Sequence, residues 1–110
     1  MATRNFLLTY TVSPNDEKYE SDADKIRAHI RNFDNDPNWN RIDHLETVFK
    51  GTLDLKGTTS EQRDDANDQV RKLFRAVFNN SNISDSAYNN IHIYIVLLVD
   101  GLGTTIELSV

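Results

Sequence analysis

The residues of this 110-residue chain that could do chemistry fall into a few small groups. Its three histidines, His29, His44 and His92, are candidates for proton transfer or metal ligation. No pair has the His-x-x-x-His spacing that sets two imidazoles on one helical face. Only His44 has a charged neighbour, Asp43, and adjacent strand residues point to opposite faces. The ordinary structural reading fits all three better. Arg27 and Arg31, and again Arg71 and Arg75, stand one helical turn apart, a spacing that could grip phosphate. Lys25, Arg63 and Lys72 extend these basic groups. Asp64, Asp65 and Asp68 share the second segment, and Asp68 with Lys72 makes a favourable i,i+4 pair. That helix reads first as a solvated, self-paired face; Arg27, Arg31, Arg71 and Arg75 are the candidates for RNA contact. Tyr88 and Tyr94 are of the type that stacks on single-stranded bases, although strand aromatics more commonly pack. Lys56-Gly57-Thr58-Thr59 lacks the leading glycine of a phosphate loop. No Gly-x-Ser-x-Gly accompanies the many serines and threonines. No catalytic residue, metal ligand set or cofactor is indicated.

The bulk composition narrows the classes further. Charged residues make up 26% and hydrophobic ones 38%, a globular balance. The length suits one domain with one core. Without cysteine there are no disulfides and no thiolate sites. No apolar run approaches the ~20 residues of a membrane helix, and the first residues lack the apolar stretch of a secretion signal. The expectation is a cytoplasmic protein with no membrane partner. The net charge of −5 opposes a broad phosphate-binding footprint and favours a protein partner.

The elements that must position these residues can be read from periodicity. Phe6, Leu8, Tyr10 and Val12 alternate with Leu7, Thr9 and Thr11, giving a central strand over about 5–12. A helix beginning near Ser21 or Asp22 buries Ala23, Ile26, Ile30 and Phe33. The strand signals over 39–55 read as a short hairpin turning near His44 to Glu46, with a single bent strand as the alternative. Thr59 and Gln62 fit a capping box. Ala66, Val70, Leu73, Phe74, Val77 and Phe78 form the apolar stripe of the helix that follows. The polar run 79–90 is the most loop-like part. A strand from Ile91, an Asp100-Gly101 turn and a last strand over Thr104 to Val110 complete the chain. The first six elements form the split βαβ pattern of an α+β ferredoxin-like domain, with two helices on one face of an antiparallel sheet. The seventh either pairs on its own sheet or adds to a second subunit.

Two stretches carry a resemblance. "FLLTYTVS" resembles the first strand of the small CRISPR adaptation nuclease family, and "NWNRIDHLETVFKG" resembles its second hairpin. Relatives of that family include an RNA-cleaving antitoxin of the type V class and small plasmid- or phage-borne proteins. The resemblance implies a ferredoxin-like dimer with a swapped or edge-adding tail. It also places the family's metal-binding aspartate at Thr11, whose neutral hydroxyl cannot replace a carboxylate on a hard cation. Asp16 arrives five residues later, beyond Pro14. The combined expectation is a non-enzymatic interaction module: a homodimeric antitoxin, inhibitor or regulator of a mobile element. Thr104, Ile106, Leu108 and Val110 are the candidate dimer residues. An RNA-binding or RNA-cleaving regulator is the alternative.

Overall fold

The computed structural model describes residues 2–110. The elements run β1 (Ala2–Pro14), α1 (Glu20–Arg31), β2 (Trp39–Ile42), β3 (Leu45–Leu55), α2 (Thr59–Asn80), α3 (Asp85–Asn90), β4 (Ile91–Val99) and β5 (Ile106–Ser109). Short 3-10 turns flank α1 at Glu17–Tyr19 and Asn32–Asn35. The strands form one antiparallel sheet in the order β2-β3-β1-β4-β5. The first four of these in space are the ferredoxin-like α+β arrangement, and β5 adds a strand beside β4. Of the two places open to the last strand, it occupies the one on its own sheet.

Alternation decides which face each side chain meets. Phe6, Leu8, Tyr10 and Val12 on β1 and Ile91, Ile93, Ile95, Leu97 and Val99 on β4 are buried toward the helices. Phe49, Leu53 and Leu55 continue that layer on β3, and Ile106 and Leu108 on β5. From the other side α1 supplies Ala23, Ile26 and Ile30, and α2 supplies Ala66, Val70, Phe74, Val77 and Phe78. Phe33 is half-buried and sets its ring edge-on against Trp39 at 5.7 Å and Phe74 at 5.1 Å. It ties the end of α1 to β2 and α2.

Several local details depart from the sequence reading. The capping box uses Thr58 and Glu61, one residue earlier than Thr59 and Gln62. The Thr58 amide donates to Glu61 Oε1 at 3.0 Å, and Thr58 Oγ1 accepts from the Glu61 amide at 3.3 Å. Gln62 instead turns inward, accepting from Arg4 Nε at 2.6 Å and donating to the Gly57 carbonyl at 3.0 Å. The polar run 79–90 holds α3, capped by Ser84, whose hydroxyl accepts from the Ala87 amide. The hairpin between β2 and β3 turns at His44, which takes a positive φ of 68°. Gly51 on β3 is required by crowding: a Cβ there would lie 1.7 Å from the Asn38 carbonyl oxygen.

Candidate functional site

The helices cover one face of the sheet, and none of the described residues covers the other. β1, β3, β4 and β5 present their alternate residues there. Leu7 pairs across the sheet with Lys50 on β3 and Leu98 on β4. Thr9 pairs with Val48 and Val96 in the next row, and Val96 pairs in turn with Glu107 on β5. Thr11 lies opposite Tyr94, and Tyr94 opposite Ser109. Leu7 is 45% exposed, Val96 37%, Leu98 43% and Tyr94 52%. These adjoin one another across β1 and β4, so they form one apolar patch rather than scattered surface residues. A shallow hollow of about 640 Å³ lies beside Tyr94, with Thr9, Thr11, Glu107 and Ser109 in its lining. The centre of the patch is apolar, and its charges, Lys50 and Glu107, stand at its two sides.

The residues with chemical potential lie elsewhere or are already engaged. Arg27 bonds to Glu20 at 2.7 Å and Asp24 at 2.8 Å, and donates to the Val12 carbonyl at 2.9 Å. Partial burial works against its charge, yet these two carboxylates raise its pKa above the ordinary arginine value. Arg71 donates to Asn67 Oδ1 and, at 2.8 Å, to the Ser109 carbonyl. Arg31 and Arg75 are exposed and make no ion pair among the described residues. The Asp68–Lys72 pair does not form within ion-pair distance. Tyr88 sits on α3 against Phe78, with ring centroids 5.2 Å apart, and shares no strand with Tyr94. Burial raises the pKa of the Tyr10 hydroxyl, with Arg31, Arg41 and Arg27 opposing.

Thr11 is exposed on the open face. Asp16 does not reach it as a substitute acid: its carboxylate accepts from the Lys18 amide at 3.0 Å and caps the 3-10 turn. His29 and His44 are exposed, and His92 stands next to Tyr94 with ring centroids 6.2 Å apart. Among the described residues no three His, Cys, Asp or Glu side chains gather closely enough to hold a metal ion. Nor, among them, is any helix long and apolar enough to cross a membrane.

The last strand is shorter than the expected Thr104 to Val110: β5 spans Ile106–Ser109, so of the four candidate dimer residues Thr104 lies in the loop before it and Val110 just beyond it. Ile106 and Leu108 are spent in the chain's own core. Val110 exchanges both backbone hydrogen bonds with Ile93 at 2.9 Å. That pairing makes Tyr94–Ser109 a non-hydrogen-bonded pair, so the Ser109 carbonyl points to the outer edge of the sheet. Arg71 caps it there. Arg63, from the preceding turns of α2, donates to the Leu102 and Thr104 carbonyls. A four-residue edge strand whose Ser109 carbonyl is occupied by Arg71, and whose entry loop is held by Arg63, resists strand addition. In sequence alone Arg63 and Arg71 read as solvated or phosphate-facing groups. Only the long-range position of β5 beside α2 reveals what they bind.

No protein-family model, no curated protein and no solved structure matches this chain. The functional reading therefore stands on the geometry.

Proposed function

We propose that this chain is a non-enzymatic protein-interaction module and that the open face of its sheet is the docking surface. The observation that carries the reading is the contiguous exposed row of Leu7, Val96, Leu98 and Tyr94. Sheet faces of this composition bury themselves against another layer, and none is supplied by the described residues. The acidic balance of 17 Asp and Glu against 12 Lys and Arg supports a protein partner over a phosphate backbone. The engagement of Arg27 and Arg71 within the chain lends the same support. The neutral Thr11 favours binding over metal-dependent cleavage. The resemblance of "FLLTYTVS" to the adaptation-nuclease relatives supports reading the module as an antitoxin, inhibitor or regulator carried by a mobile element.

A photo-reactive amino acid at position 98, in cells that make the chain, tests the reading. Adducts with protein are expected, and they disappear when Val96 is also changed to Asp. Adducts with RNA, or none at all, overturn it. Salt-sensitive RNA retention lost in Arg75→Ala would establish the RNA-regulator alternative instead.

A further inference from the structure

We infer that the partner seated on the open face is a second copy of this chain, packed face to face about a two-fold axis with Lys50 of each chain against Glu107 of the other. The inference rests on the reading of the open face as a docking surface, and it names the occupant. The two charges lie on opposite sides of the apolar centre. Lys50 is on β3, one strand to one side of β1, in the row of Leu7 and Leu98. Glu107 is on β5, two strands to the other side, in the adjacent row of Thr9 and Val96. The point midway between them falls between β1 and β4, among Leu7, Thr9, Val96 and Leu98. That point is also the centre of the apolar patch.

A two-fold axis through that centre, lying between two facing sheets and running roughly along the strands, exchanges the two sides of the patch. It lays β3 of one chain over β5 of the other. Lys50 then meets Glu107 twice, while Leu98 meets its own copy and Leu7 crosses toward Val96. An isologous interface must be self-complementary in this way. A face designed for an unrelated partner has no reason to balance a positive group with a negative one about its own apolar centre. Both charges are available: neither makes an ion pair within the chain among the described residues.

The area agrees. At ~4.8 Å between strands and ~3.3 Å per residue, the four strands from β3 to β5 offer a flat footprint of about 400 Å² per chain. Counting both chains and the relief of their side chains, the buried surface reaches the order of 1,000 Å², where specific interfaces begin. The alternative dimer, by strand addition at β5, meets a four-residue edge whose Ser109 carbonyl is already taken by Arg71.

The test uses the whole purified chain in light scattering from micromolar to submillimolar concentration, on wild type, Lys50→Glu, Glu107→Lys and the double variant. Wild type is expected to be dimeric at the upper end. Each single reversal opposes like charges at two symmetric positions and raises Kd on the order of tenfold or more. The double variant restores the contact with its sign exchanged, and its Kd returns to within a few-fold of wild type. Circular dichroism on all four confirms that these exposed changes leave the fold intact. A chain that stays monomeric overturns the inference, as does a dimer in which the double variant is no better than the singles. Either result, combined with adducts between position 98 and a different protein, leaves the docking reading standing and removes only the self-partner.

Discussion

Leu97 and Leu98 are neighbours on β4 that face opposite worlds, and replacing each with alanine separates stability from association. Leu97 is fully buried among the core residues of the sheet and helices. Its truncation removes packed atoms and leaves a cavity, a loss of about 2–5 kcal/mol. For a domain of this size that corresponds to a fall in Tm of about 10–20 °C. Leu98 is 43% exposed. Roughly half of the ~1.5–3 kcal/mol available from burying a leucine is gained within the chain, so its truncation costs about 1 kcal/mol or less. The rest becomes available only when the face is covered. Urea denaturation should therefore show a large, concentration-independent loss for Leu97→Ala. For Leu98→Ala the loss is small in dilute protein and grows with concentration, as linkage to association requires. Equal losses for the two variants in dilute protein, or a Leu98→Ala effect that ignores concentration, would refute the two-faced account of the sheet.

Other consequences follow from particular contacts. Gly51→Ala drives a methyl into the Asn38 carbonyl and the Phe6 ring; urea unfolding should show a loss of about 1–3 kcal/mol or more, and wild-type stability would contradict the register of β2 against β3. Hydrogen bonds from the Thr58 backbone and side chain hold the Glu61 carboxyl below the usual carboxylate range. The capping contribution is thus fully present above the unfolded pKa of Glu61 and is lost as pH falls through its lower folded value. The Tm difference between wild type and Glu61→Gln should accordingly shrink on acidification, and a difference that widened would reverse the assignment. Changing Arg63 and Arg71 together to alanine releases the Leu102 and Thr104 carbonyls in the loop before β5 and the Ser109 carbonyl at its edge. Stability should fall by about 1–2 kcal/mol, with faster amide exchange at Ile106, Leu108 and Val110; unchanged exchange would show that these arginines do not hold the strand.

Much of this arrangement was legible in the chain because it is written in local periodicity. The alternation of β1, the stripe of α2 and the hairpin near His44 each depend on neighbours two to four residues away. What was misread depends on choice among equivalent local signals. Thr58-x-x-Glu61 and Thr59-x-x-Gln62 both fit a capping box, and only the inward pull of Arg4 and Gly57 on Gln62 decides between them. The helix at Asp85–Asn90 is hidden by its turn-forming composition and shows itself through the Ser84 cap and the buried Ala87. The candidate site is a further step removed. The pattern puts Leu7, Thr9 and Thr11 on one face, but a strand cannot report whether anything lies over that face. Lys50 and Glu107 are separated by most of the second half of the chain. Their placement about one centre exists only once β5 is known to lie beside β4.

The central claim is that the chain associates with its own copy through the open face, and methyl NMR during dilution tests it most directly. With leucine, isoleucine and valine methyls labelled, the account predicts concentration-dependent shifts at Leu7, Val48, Val96 and Leu98, with Ile106 and Leu108 nearly still. Shifts centred instead on Ile106, Leu108 and Val110, or spectra that do not change with concentration, would contradict it.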